Sequence, residues 1–248
     1  MNPLVTVITP TTGAATLRQT LDSVKAQTYK NIQHLVVVDG DYPEARRTLQ
    51  DYDNVDVINL PYATGKEQYN GHRIYGAMTY IARGDFICFL DEDNWYEENH
   101  VQSLVDVIEA GNTWAYSLRK IVNQEGEYIC NDDCESLGKW LSVVNDRFVD
   151  LNCFLIPKRS ALIFSPAWYR KARHPQEQPE VDRVLSLFMI KSQDKFKTSG
   201  QYSVNYRVAS RTDSVRAEFF IKGNEQMLKQ YGGDFPWQKR INTFNQPE

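Results

Sequence analysis

Apolar and polar positions along the first 110 residues alternate between two periods. Residues 4–9 (LVTVIT) form a β-branched apolar run that stops at Pro10 and Gly13. Residues 16–28 then place Leu17, Leu21 and Val24 at i, i+4 and i+7, one face of a helix. A second strand is predicted over 33–38 (QHLVVV), ended by Asp39-Gly40-Asp41, and a third over 55–60 (VDVINL), ended by Pro61. Ile74, Ala77, Met78 and Ile81 mark a helix over 69–82. Residues 85–90 (DFICFL) read as a short, almost wholly apolar strand, and Val101, Leu104, Val105 and Ile108 mark a helix over 98–110.

Strand–helix units with near-continuous apolar strands imply a parallel sheet covered on both faces. Such sheets bind ligands beyond the carboxyl ends of their strands. Here those ends carry Pro10–Gly13, Asp39–Asp41 and Asp91–Asp93, so three polar, turn-forming clusters converge on one edge. After residue 111 the pattern changes. Residues 114–122 and 127–130 flank Asn-Gln-Glu-Gly, the signature of a hairpin with a four-residue loop. Aromatic and apolar residues then mix without clean period to about residue 170, and 171–180 (KARHPQEQPE) form a polar loop. Val181, Val184, Leu185 and Phe188 mark another helix face, and Val215, Phe219, Ile221 and Met227 an amphipathic stretch in the tail. No repeat and no linker divides the chain. It reads as one domain over 1–248: a first half to 110, a second half over 111–194, and a C-terminal tail from 195.

Composition adds bounds. With 42% hydrophobic and 24% charged residues, the 248-residue chain is an ordinary globular protein. A net charge of −4 argues against an overall electrostatic fit to nucleic acid. The charge is unevenly placed: from residue 195 on, nine Lys/Arg face five Asp/Glu. Apolar runs such as 86–90 (FICFL) fall far short of the ~20 residues that span a bilayer. The first residues, MNPLVTVITPTTG, lack a basic and then apolar leader, which predicts a cytoplasmic protein with free thiols. Cys88 sits within an apolar run and reads as a core residue. Cys130 and Cys134 lack the further ligands of a zinc site.

The acidic cluster is the main chemical signal. FICFL-DED-NW puts Asp91, Glu92 and Asp93 at the exit of a buried strand. Two carboxylates at i and i+2 there can approach one hard cation, which suits Mg2+ or Mn2+. An EF-hand loop is excluded, because its sixth and twelfth positions from Asp91 are Tyr96 and Gln102 instead of Gly and Glu. An aspartyl-phosphate phosphatase would carry the pair on its first strand. A sugar nucleotidyltransferase would carry a Gly-rich basic loop where this chain has TPTTGAATLRQ.

Three blocks in order resemble the inverting GT-A glycosyltransferases of family 2. VTVITPTTG is similar to that family's opening strand and proline turn, SVKAQTYKNIQHLVVVDGD to its helix end, Gln-Thr-Tyr turn and Asp-terminated strand, and GDFICFLDEDNW to its Gly-acidic-strand-D-x-D block. The match covers about residues 4–108. It implies an α/β GT-A fold, Rossmann-like, with a mostly parallel central sheet flanked by helices and an acceptor-side second half. It implies transfer from a nucleotide-sugar donor, UDP by family frequency, to a glycan or lipid-linked acceptor in polysaccharide biosynthesis, assisted by Mn2+ or Mg2+. Carried over by position, Asp39 contacts the base, Arg73 faces the nucleotide or diphosphate, Asp91 lies near the ribose and the metal, and Asp93 ligates the metal. Pro10, Thr11 and Glu92 complete the donor side, and Lys66 is a further phosphate candidate. The chain departs from the family pattern at Val38, at Thr11-Thr12 and at His72-Arg73-Ile74.

The family places its base at the start of a helix in the second half. PEVDRVLSLF is the best match and nominates Asp182, with Glu180 in reserve and Val181 as a departure. His174 is an acceptor-side candidate or a solvated loop histidine. Trp140, Trp168 and Tyr169 fit sugar stacking or core packing, and Tyr69 and Tyr75 fit packing. Arg207, Arg211 and Arg216 read as a lid over the diphosphate, as a contact to an anionic lipid-linked acceptor at a membrane surface, or as a solvated basic face. Two other functions stand beside transfer: a catalytically silent nucleotide-sugar or carbohydrate-binding module, and a metal-dependent phosphatase.

Overall fold

A computed structural model describes residues 2–66, 69–169, 181–209 and 214–239. The first half runs β1 (Val5–Thr11), α1 (Leu17–Lys25), β2 (Ile32–Val38), α2 (Pro43–Leu49), β3 (Val55–Asn59), α3 (His72–Ile81), β4 (Phe86–Phe89), β5 (Trp95–Tyr96) and α4 (His100–Glu109). The second runs β6 (Trp114–Val122), β7 (Tyr128–Asn131), β8 (Phe154–Pro157), α5 (Lys158–Phe164), α6 (Val181–Lys191), β9 (Phe196–Arg207) and α7 (Ala217–Tyr231). Short 3-10 turns cover Leu151–Cys153, Ser165–Tyr169 and Pro236–Gln238.

The strands lie in the order β3-β2-β1-β4-β8-β6-β9-β5, with β7 added on β6. The β3-β2-β1-β4 section is parallel, as the apolar runs imply. Val5, Val7 and Ile8 are wholly buried because helices cover both faces. β8 then pairs antiparallel with β4 and β6, while β9 runs parallel to β6. The result is a GT-A α/β fold. One apolar cluster runs from β1 and α3 through Trp114, Phe154 and Trp168 to Phe220 and Trp237 in the C-terminal segment. Both halves therefore share one core.

Five elements lie outside the sequence expectation: α2, β5, β8, α5 and β9. α2 follows the Asp39–Asp41 turn with only Ala45 and Leu49 buried, too short a face to announce itself. β9 lies in the stretch read as a basic tail, yet it stands between β6 and β5 within the sheet. No helix among the described residues is long and apolar enough to cross a membrane.

Candidate active site at the carboxyl edge of the sheet

Register brings the three clusters together. Thr11 pairs with Val38 and Ile8 with Phe89, so β1, β2 and β4 end side by side. Strands flank β1 on both sides, and the chain leaves them into one crevice. A cleft of about 690 Å³ opens there, and Pro10, Thr11, Asp39, Lys66, Asp91, Glu92 and Asp93 line it. Seven of the nine predicted site residues thus share one cavity. Arg73 and Asp182 are not among its lining residues.

The carboxylates differ in what holds them. Asp39 accepts from the Thr64 N–H (2.6 Å) and hydroxyl (2.8 Å) on one oxygen and from the Gly65 N–H (2.9 Å) on the other. It thereby pins the loop that carries Lys66 against the end of β2. A Cβ on Gly65 would meet the Asn70 carbonyl at 2.5 Å, so the close approach requires glycine. The resemblance has Arg73 facing the nucleotide. Here its guanidinium stacks 3.7 Å above the Tyr69 ring and donates to the Thr64 carbonyl, bracing the same loop from below.

Glu92 turns back onto the β1–α1 loop. It accepts from the hydroxyls of Thr11 (2.5 Å) and Thr12 (2.8 Å) and from the N–H groups of Thr12, Gly13 and Ala14. Gly13 allows this with a φ of +86°. The Glu92 carbonyl takes the Thr16 and Thr20 hydroxyls, both at 2.9 Å. Glu92 therefore clips two loops together while still forming part of the cleft wall.

Asp91 is held on both oxygens, by the Tyr75 hydroxyl at 2.6 Å and the Asn152 amide at 3.0 Å. Burial, and then the Asp91 charge, push the Tyr75 phenol well above its ordinary value, so it stays a donor. Tyr75 thus does more than pack, and no pattern in the sequence signals this bond. Asp93 lines the cleft beside Arg207. The Arg207 guanidinium, at the end of β9, donates to the Asp93 carbonyl (3.0 Å), to Gln19 (2.7 Å) and to the carbonyls of Asn123 and Gln124. Arg207 is thus a buried cation in the cleft wall instead of a mobile lid.

Among the described residues no group of three or more His, Cys, Asp and Glu is gathered as a closed metal cage. What the cleft offers is an open pair of oxygen ligands, Asp91 and Asp93. That donor set fits Mg2+ or Mn2+, which keep waters and complete their shell with substrate phosphates. It does not fit zinc, and Cys88, Cys134 and Cys153 are buried free thiols.

Asp182 stands in the first turn of α6. Burial raises its pKa to about 6, with the Asp150 charge adding to the rise and the Arg183 N–H opposing it. Beside it lies a buried ionic network. Arg119, 1% exposed, donates to Asp132 (2.8 Å), Glu135 (2.6 Å) and Asp150 (2.5 Å), and Arg183 reaches Glu135 (2.6 Å) and Asp146 (3.1 Å). Trp168 is fully buried and Trp140 packs on Trp237, which is core packing for both. Tyr169 is half exposed, Arg216 is exposed, and His174, Glu180 and Arg211 lie outside the described residues.

The Glycosyl transferase family 2 model matches residues 6–208. This chain belongs to that family. An uncharacterized glycosyltransferase of Rickettsia bellii is 29% identical over 194 residues, covering 74% of this chain and 26% of that protein. A glucosyl-dolichyl phosphate glucuronosyltransferase of Haloferax volcanii is 31% identical over 91 residues, 37% of this chain and 28% of that one. The chain therefore spans about a quarter of the length of these two relatives. Among solved structures, S. aureus TarS 1-349 in complex with UDP superposes with a TM-score of 0.62 at 14% identity, over 94% of this chain and 67% of that one. That likeness is one of fold.

Proposed function

We propose that the chain is an inverting glycosyltransferase. On this reading it moves a sugar from a nucleotide-diphosphate sugar, UDP-sugar first, to a hydroxyl of a glycan or lipid-linked saccharide. The observation that carries it is the meeting of Asp39, Asp91 and Asp93 in one cleft at the switch point of a family 2 chain. The relative named as a glucuronosyltransferase and the UDP complex of TarS support a nucleotide-sugar donor.

Each residue then has a task. Asp39 and the 63–66 loop form the nucleoside side of the cleft, and Lys66 adds charge toward the phosphates. Glu92 fixes the β1–α1 loop that the nucleotide lies against. Asp91 and Asp93 would hold Mn2+ or Mg2+, which when bound neutralises charge on the leaving diphosphate. Asp182 takes the proton from the acceptor hydroxyl as that oxygen attacks the anomeric carbon. A carboxylate with pKa about 6 suits this, since it is ionised at neutral pH yet more basic than an ordinary Asp. Such proton transfer is worth ~10²–10⁴-fold.

The test is nucleotide release from a panel of UDP-, GDP-, CMP- and dTDP-sugars, with Mn2+ or with EDTA, followed by NMR of the product anomer. Metal-dependent release from one series with inverted configuration supports the reading, and a retained anomer overturns it. The position of Asp182 outside the cleft lining favours one second reading, a silent nucleotide-sugar-binding module on the same fold. That module would bind donor and release no nucleotide, even by hydrolysis.

A further inference from the structure

Asn152 sits in a 3-10 turn that shows no sequence signature. The turn is capped by Asp150, whose side chain accepts from the Asn152 N–H at 3.0 Å. Immediately after it comes β8, the antiparallel neighbour of β4, with Phe86 opposite Pro157 and Ile87 opposite Ile156. Counting that register on toward the cleft sets Asn152 across from Asp91. The ladder does not continue as backbone pairs there. The Asn152 side chain takes its place: its Oδ1 accepts from the Asp91 N–H at 2.8 Å, and its Nδ2 donates to Asp91 Oδ2 at 3.0 Å.

The amide is fully committed. Its second N–H goes to Asp150 Oδ1 at 3.0 Å, and the other Asp150 oxygen takes Arg119. Turning the amide over would set its oxygen against two carboxylates and its nitrogen against an N–H, so these neighbours fix its orientation. Asn152 is 1% exposed and Arg119 is equally buried, so no water competes for these groups. On the far side Tyr75 holds Asp91 Oδ1. Asp91 is therefore clamped between two donors, with its remaining lone pairs left for a cation.

We propose that Asn152 is a positioning residue that sets the Asp91 carboxylate for metal and diphosphate, and that Asp150 and Arg119 set Asn152. This rests on the proposed function, in which Asp91 and Asp93 hold a divalent cation. Groups that orient metal ligands from behind typically change metal affinity 10–100-fold when removed.

The experiment is Mn2+ binding by electron paramagnetic resonance, with Mn2+ alone and with Mn2+ plus UDP. It compares the wild-type chain with Asn152→Ala, the milder Asn152→Ser, and Asn152→Asp, which keeps size and acceptor but loses the amide N–H groups. Tyr75→Phe serves as the partner variant. Leu49→Ala, which loosens the separate apolar cluster of α1, α2 and β2, controls for lost stability. The expected result is Mn2+ binding 10–100-fold weaker in each Asn152 variant, a smaller loss in Tyr75→Phe, and wild-type binding in the control at a similar melting temperature. Wild-type Mn2+ affinity in Asn152→Ser or Asn152→Asp, with the wild type binding through Asp91 and Asp93, overturns the positioning role alone. A wild-type chain that binds no Mn2+ with UDP removes the proposed function, and this inference with it.

Discussion

Single residues carry the site, and they separate by what their side chains are already bonded to. Glu92 accepts hydrogen bonds from five neighbouring groups on the β1–α1 loop. Glu92→Ala leaves those N–H and hydroxyl groups without their anion. We expect it to cost about 1–3 kcal/mol of stability and to raise the donor KM more than it lowers kcat, as chemical denaturation and steady-state kinetics would show. Asp182 is expected to behave oppositely. Asp182→Asn keeps donor binding and loses ~10²–10⁴-fold in transfer, and wild-type kcat/KM falls as pH drops through about 6. Near wild-type turnover in Asp182→Asn would remove it as the base. The acidic residues of the cleft were legible in the sequence because each stands at the carboxyl end of an apolar run. Their partners were not. Asn152 lies 61 residues from Asp91, and Arg119 joins carboxylates 13, 16 and 31 residues away. Only the fold brings such pairs together.

At the scale of elements, what was legible was what has a period. β1, β2, β4, α1, α3 and α4 each bury a face that the apolar spacing shows. β9 was not, because its twelve residues mix charged, polar and aromatic side chains, and its neighbours are set by β6 and β5. The C-terminal segment is a second case. Trp237 is wholly buried; its indole N–H donates to Asp133 at 2.6 Å, and the Tyr202 hydroxyl donates to the same oxygen. This segment closes the core instead of trailing from it. Trp237→Ala should therefore lower stability by about 3–5 kcal/mol, with nucleotide affinity unchanged in the folded fraction. A loss under 1 kcal/mol in urea titration would contradict that packing.

At the scale of the whole molecule, one core joins the two halves, so pH acts on the protein as a unit. Burial lowers the pKa of His34 and of His100 to about 3. The unfolded chain thus binds more protons below pH 6.5, and each histidine's stabilisation is lost as pH falls from there. Between pH 6.5 and 5 the loss is about 1.7 kcal/mol for each. Asp182, raised to about 6, acts in the opposite sense: the folded state holds the proton more tightly and gains about 1 kcal/mol as pH falls from 6 to 5. The two histidines outweigh it, so the denaturation midpoint should drop from pH 6.5 to pH 5. A flat or rising midpoint would show that these rings are not buried as neutral groups.

On the proposed function, the carboxyl edge of the sheet is a metal-assisted nucleotide-sugar site. A thermal-shift panel tests it most directly: UDP, GDP, CMP and dTDP, each with Mn2+ or EDTA, on the wild type and on Asp93→Asn. A ligand at ~100 times its Kd stabilises by about 2.7 kcal/mol. The expected result is a shift with one nucleotide series, UDP first, that needs Mn2+ and disappears in Asp93→Asn. No shift with any nucleotide, or a shift unchanged by EDTA and by Asp93→Asn, would contradict it.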